Sequence, residues 1–283
     1  RLYRAAALTL SGTHRLMIAT LDMYDFPEIR DATNTWWEAL ARGFIAEGLT
    51  GIPPHRTRFS DENASWSAPG LIFTQICGYP LRKRYRDVLR VVGTPCYRAE
   101  GCDGPRYSSV VIVQRGAGIG SVEALEGARL AYNGALSQSG MNAFRALLSE
   151  RGIKPGFFGD AVCSRGHRAS VSMVTSGEAD TAAIDCVTWA LLQKHAPHEC
   201  DAVEVLAWTP GAPGLPYAVP ASSDEQTIAA YRRGIDRAIA DPAAQSAREA
   251  LLIDGFAPLT DADYEEIDAM ETRARERGLP SLF

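Results

Sequence analysis

No stretch of this sequence stays apolar for long. Leu71 to Ile76 and Val110 to Val113 are both short, whereas a membrane-spanning helix needs about 20 such residues, so a soluble chain is expected. Basic residues are not in excess either: 29 Lys and Arg stand against 34 Asp and Glu, a net charge of -5. Nucleic acid selects for the opposite balance and is not expected as a partner. The densest basic run, Arg82-Lys83-Arg84-Tyr85-Arg86, reads as a solvated face. Cysteines lie at 77, 96, 102, 163, 186 and 200, with no Cys-x-x-Cys and no paired His spacing, which argues against a zinc site. No cofactor is expected. Cys96 and Cys102 bracket a polar, Gly-containing loop that can close into a disulfide in an oxidising compartment, while Cys186, in an apolar context, reads as a buried thiol. A Gly-x-Ser-x-Gly elbow is missing, and the glycines of 116–121 have the wrong spacing for a dinucleotide loop, so an enzyme is the weakest functional class. The sequence starts at Arg1 rather than Met, and Arg4 to Leu10 is weakly apolar, in keeping with a processed terminus and a remnant of an export segment.

What is there is an alternation. Among 283 residues, 46% of them hydrophobic, short β-type runs at Leu16–Leu21, 71–76, 88–92, 110–113, 128–132, 181–184, 203–207 and 215–219 take turns with helical patterns. The helices are expected at about 121–126, 140–151, 169–176 and 186–195, and Trp36, Trp37, Leu40, Phe44 and Ile45 fall at helical spacing before Gly48. Such alternation means βαβ units and mixed sheets flanked by helices, an α/β protein. The last 65 or so residues read as almost wholly helical, with Ser222 to Glu225 and Thr260 to Asp263 as capping signals. Two Pro/Gly-rich loops, Thr94 to Pro105 and Thr209 to Pro216, flank the block between them. The expected organisation is two lobes, 1–107 with 217–283 and 108–216, joined by two hinge crossings.

Polar residues gather at strand-to-helix junctions of the middle block. In Leu-Ser-Gln-Ser-Gly-Met, residues 136–141, a helix beginning near Ser139 or Gly140 leaves its first N–H groups unpaired and concentrates positive partial charge there. Ser137 and Ser139 add hydroxyls, Gln138 an amide, and Gly140 permits close approach, so an anion can be held without a formal cation. Ser137 or Ser139 as a plain N-cap is the competing reading. A second junction, Cys163 to Ser170, puts His167 near a helix amino end, and Asp185 closes the strand 181–184 where open α/β sheets place ligand sites.

Together, YSSVVIVQRGAGIGSVEALEGARLAYN, LSQSGMNAFRALL, GHRASVSMVTSGEADTAAID and TPGAPGLP resemble the phosphonate-binding family of periplasmic solute-binding proteins, which feed ABC importers. The likeness covers most of 14–240 and is strongest from 107 to 217. It implies a two-lobed type II periplasmic binding fold that clamps a small oxyanion, phosphonate or phosphate-like, and delivers it to an ABC transporter permease. It also implies a periplasmic, monomeric protein. The family's oxyanion cradle maps onto Ser137, Gln138, Ser139 and Gly140, its histidine onto His167 and its cleft acid onto Asp185. First-lobe contacts map onto Tyr24, Tyr79 and Gln75. Gln138 departs from the family's usual Thr, which bears on recognition of a three-oxygen head. A ligand-sensing domain for a signalling partner, or an enzyme on the same fold, are the alternatives.

Overall fold

The computed structural model describes residues 16–282; Arg4 to Leu10, read above as an export remnant, lies outside the described residues. Thirteen strands are described: β1 (Ile18–Ala19), β2 (Leu71–Gln75), β3 (Leu89–Tyr97), β4 (Cys102–Asp103), β5 (Arg106–Tyr107), β6 (Ser109–Gln114), β7 (Arg129–Tyr132), β8 (Asp160–Cys163), β9 (Thr181–Asp185), β10 (Val203–Trp208), β11 (Ala212–Pro213), β12 (Tyr217–Pro220) and β13 (Ile253–Ala257). The helices are α1 (Arg30–Ala46), α2 (Glu62–Trp66), α3 (Gly78–Pro80, running on into a π-type turn), α4 (Ala143–Glu150), α5 (His167–Ser176), α6 (Cys186–His195), α7 (Glu225–Ala240), α8 (Gln245–Ala250) and α9 (Glu265–Glu276).

These strands form two five-stranded mixed sheets and one small sheet. The first has the order β1-β2-β12-β3-β13, the second β10-β6-β9-β7-β8. In the second, β7 is parallel to both β8 and β9 while β6 is antiparallel to β9 and β10. The small sheet, β11-β5-β4, is built from the segments that run between the two large ones. It thus falls on the two Pro/Gly-rich loops of the sequence, where Pro and Gly limit strands to two residues.

Each large sheet has its own apolar core. Trp36, Trp37, Phe44, Phe73 and Tyr217 anchor the first, and Val110, Ile112, Val111 and Phe144 mark the two faces of the second. The central strands β6 and β9 are buried along nearly their whole length, as strands covered on both faces must be. Helix α9 reaches both cores: Ile267 and Met270 pack with the first, and Leu279 and Leu282 just beyond it pack beside Phe144.

The structure corrects or adds to the expected picture at several points. The C-terminal region is not wholly helical, because β13 adds an edge strand to the first sheet against β3. Strand β8 was not foreseen. The basic run 82–86 is largely exposed at Lys83, Arg84 and Arg86, as expected, and Arg82 and Lys83 in addition pair with Asp268 at 2.7 Å, with Lys83 also reaching Glu271 at 2.6 Å. Finally, Cys96 and Cys102 are not joined, and all six thiols are free. The sulfur nearest Cys102 is that of Cys186, at 3.4 Å, because the β4–β5 hairpin folds Cys102 back onto the start of α6.

Candidate ligand-binding site

The start of the 138–150 helix is a widened π-type turn, Gln138–Asn142, leading into α4. Ser137 is its N-cap: its Oγ accepts the Gly140 N–H at 3.0 Å. Ser139 lies two residues further on and does something else. Its hydroxyl lies 2.7 Å from Nε2 of His167, the first residue of α5. Asn133, which follows β7, brings its Nδ2 to 3.2 Å from the same ring nitrogen. Asp185 stands 3.5 Å from it on the other side. Three strand-to-helix junctions, after β7, β8 and β9, therefore meet at one imidazole.

The supports of this cluster are backbone features of the second sheet. Asp185 ends β9 and caps α6, accepting from the Thr188 N–H at 2.7 Å and from its hydroxyl at 2.6 Å, so both carboxylate oxygens are fixed. The Ser109 hydroxyl donates to the Ser139 carbonyl at 3.1 Å. Gly140 is required by a neighbour: a Cβ there would sit 2.0 Å from Asn133 Oδ1 and 3.4 Å from His167. The glycine makes room for Asn133, and a side chain would push that residue off the imidazole.

The first sheet's side supplies aromatic hydroxyls. Tyr24 is buried, packs edge-on against Tyr97 with centroids 5.3 Å apart, and lies close enough to Asp185 for that charge to act on its ionisation. Tyr107, at the end of β5, lies beside Ser139. Among the described residues neither hydroxyl has a hydrogen bond of sound geometry, and a buried hydroxyl without a partner costs about 1–3 kcal/mol. Burial holds both phenols protonated, well above their usual pKa, so each can donate to an anion. Gln75 donates to the Tyr97 hydroxyl at 3.0 Å and to the Leu215 carbonyl at 3.2 Å. With Tyr24, Thr33, Trp36 and Tyr97 it lines a cavity of about 20 Å³, room for about one water.

The ionisation of His167 follows from its surroundings. Desolvation pushes its pKa below the usual value, opposed by the Asp185 charge. The ring is therefore uncharged at neutral pH in this state, and the cluster has no formal cation.

Two of the sequence-derived residues stand apart. The Gln138 side chain is fully buried away from the imidazole: its Oε1 accepts from Asn142 Nδ2 at 2.7 Å and its Nε2 lies 3.3 Å from the Met270 sulfur on α9. Tyr79 belongs to an ionic cluster instead, with Lys83 over its ring at 5.4 Å and Arg145 and Glu271 close by. Ser137, Ser139, Gly140, His167, Asp185 and Tyr24 are brought together, with Gln75 behind Tyr24. Sequence reading missed Asn133, Tyr97, Tyr107 and Thr188. Asn133 had a usable signal, since it ends the apolar run Leu130-Ala131-Tyr132 as Asp185 ends its own.

Two mixed sheets flanked by helices make a two-lobed α/β fold, and comparison with solved structures finds the same fold in periplasmic binding proteins. A binding-protein component of an ABC phosphonate transporter from Pseudomonas aeruginosa superposes with a TM-score of 0.74 over 93% of this chain and 88% of that one, at 13% identity. PhnD1 from Prochlorococcus marinus, solved with methylphosphonate, gives 0.70 over 93% and 99%, also at 13% identity. An ATP-bound protein from Xanthomonas citri gives 0.66 over 93% and 98% at 16% identity. Residues 80–264 match the family described as ABC transporter, phosphonate, periplasmic substrate-binding protein, and the chain belongs to that family. It is a family of transporter binding proteins rather than enzymes, working with a membrane permease. No curated protein matches the sequence significantly. Among the described residues no helix is long and apolar enough to cross a membrane.

Proposed function

We propose that this protein is the periplasmic receptor of an ABC importer and that it binds a small oxyanion, phosphonate or phosphate-like, at the Ser139–His167–Asp185 junction. Its lobes are 1–107 with 217–283 and 108–216, the small β11-β5-β4 sheet marks the two hinge crossings, and α9 lies across both lobes. The observation that carries the reading is the convergence on His167 of a capped helix start, Ser139 and Asn133, facing the unpartnered Tyr24 and Tyr107 hydroxyls. Buried donors without acceptors favour a ligand rich in acceptors.

In this reading each side chain has a task. Ser139 and the helix-start N–H groups donate to the anion. His167 becomes an imidazolium as the ligand's charge offsets its desolvation, and Asp185, already held by Thr188, stabilises that cation. Tyr24 and Tyr107 close over the head group from the first lobe. Ser137 keeps the helix start in shape, and Gln138 and Tyr79 serve the packing of α9.

Calorimetric titration with methylphosphonate, inorganic phosphate, acetate and arginine tests it. Dissociation constants near micromolar, about -8 kcal/mol, are expected for one of the phosphorus oxyanions, with far weaker binding of acetate. Tight binding of arginine and none of the oxyanions refutes it.

A further inference from the structure

The sulfurs of Cys102 and Cys186 lie 3.4 Å apart although 84 residues separate them in sequence. Neither is held there by chance packing alone. Ser108, the residue joining β5 to β6, donates its N–H to the Gly101 carbonyl at 3.0 Å and accepts the Cys186 N–H at 3.0 Å. The same serine thus bonds Cys186 directly and the residue before Cys102. Cys102 is also paired across the hairpin with Tyr107, and Ser109 with Asp185. The two thiols sit where the first crossing meets the start of α6, directly after Asp185.

The geometry points to a redox-modification site: Cys102 and Cys186 form an intrachain disulfide that fastens the first hinge crossing to the helix that Asp185 caps. A disulfide needs a sulfur separation of about 2 Å, so closing the pair from 3.4 Å takes about 1.4 Å of sulfur movement. The oxidant is a disulfide, R–S–S–R. Cys102 is half-buried and Cys186 is 1% exposed, so the thiolate of Cys102 attacks first, forming a mixed disulfide and releasing one thiolate. Cys186 then loses its proton to solvent and displaces the second thiolate. Two cysteine thiols are oxidised, one R–S–S–R is reduced to two R–SH, and the electrons balance. The neighbouring Cys102 and burial hold the Cys186 thiol protonated, which makes the second step the slower one. The site does not depend on which ligand the cleft takes.

Tryptic mapping without reductant tests it on the intact chain after incubation with oxidised glutathione. Fragments 99–106, 169–194 and 91–98 carry Cys102, Cys186 and Cys96 separately. A linked 99–106/169–194 pair that dithiothreitol separates is expected. The oxidised wild type should also melt at least about 5 °C above the reduced protein, a difference absent in Cys102→Ser. That variant changes the less buried thiol and so stands in for Cys186→Ser should the latter fail to fold. A 99–106/91–98 pair, or alkylation of both Cys102 and Cys186 after oxidation, overturns the assignment.

Discussion

Two serines two residues apart, whose hydroxyls lie 3.4 Å from each other, have different main partners, and that separates stability from binding at the residue scale. Ser137 accepts a helix N–H, so Ser137→Ala should cost about 1 kcal/mol of folding stability, the usual loss for a cap. Ser139 touches the imidazole instead. Ser139→Ala should cost about 0.5–1.5 kcal/mol of stability for that hydrogen bond and also weaken oxyanion binding by about 1.5–3 kcal/mol, one to two decades, whereas Ser137→Ala should leave affinity nearly unchanged. Calorimetry and thermal melts on both variants check this, and equal losses of affinity would refute it. His167 gives a pH test. Burial lowers its pKa in the free protein and a bound anion raises it, so binding takes up a proton and affinity rises as pH falls from neutral toward that lowered pKa. The ligand's own titration cancels in the ratio of wild type to His167→Gln, and a ratio that does not change with pH sinks the idea. Ser137, Ser139, Gly140, His167 and Asp185 were legible because strand ends and helix starts announce themselves locally. Gln138 was misleading for the same reason: the direction of its side chain is set by Met270, 132 residues away.

At the scale of elements, burial decides what a sequence shows. Strands β6 and β9 are covered on both faces and read as continuous apolar runs. By contrast, β8 is largely exposed and β13 mostly half-exposed, and both lie at sheet edges, where Asp, Gly and Cys are tolerated and no pattern survives. Helix pairing is equally silent in the sequence. Helices α1 and α7 cross at Gly43 and Gly234, where a Cβ on Gly43 would meet the Gly234 carbonyl oxygen at 2.1 Å. Gly43→Ala gains about 1 kcal/mol of helix propensity but forces two backbones apart under Phe44 and Tyr231, an overpacking cost of typically 1–3 kcal/mol. The obstacle is backbone rather than a movable side-chain tip, so the cost wins. A net loss of up to about 2 kcal/mol in urea denaturation is expected, and a stabilised variant would show that the helices separate freely.

For the molecule as a whole, the question is what holds the lobes together over the cleft. Arg168, next to His167 on α5, donates to both carboxylate oxygens of Glu28 at 2.9 and 2.8 Å, and to Glu199 at 2.9 Å. Glu28 lies before α1 beside the first core, whereas Glu199 belongs to the second sheet's side. Arg168 also stacks over Phe26 with 5.7 Å to the ring centroid. The arginine therefore spans the two lobes just outside the proposed site. Its groups are partly exposed, so solvent screening limits a single pair to about 0–1 kcal/mol, although bidentate geometry and the second carboxylate favour the upper end. Arg168→Ala should then weaken ligand binding about three- to fivefold, mainly through faster dissociation, without changing the melting of the ligand-free protein by more than about 1 kcal/mol. The hydrogen bond to Arg168 lowers the Glu28 pKa to about 2. Because the shift is downward, the latch is complete above the ordinary carboxylate pKa and is lost as pH falls from there toward 2. Raising the salt concentration should reduce the difference between wild type and Arg168→Ala, since the pair is screened. Stopped-flow dissociation rates that match in the two proteins at low salt would show that Arg168 does not restrain the cleft.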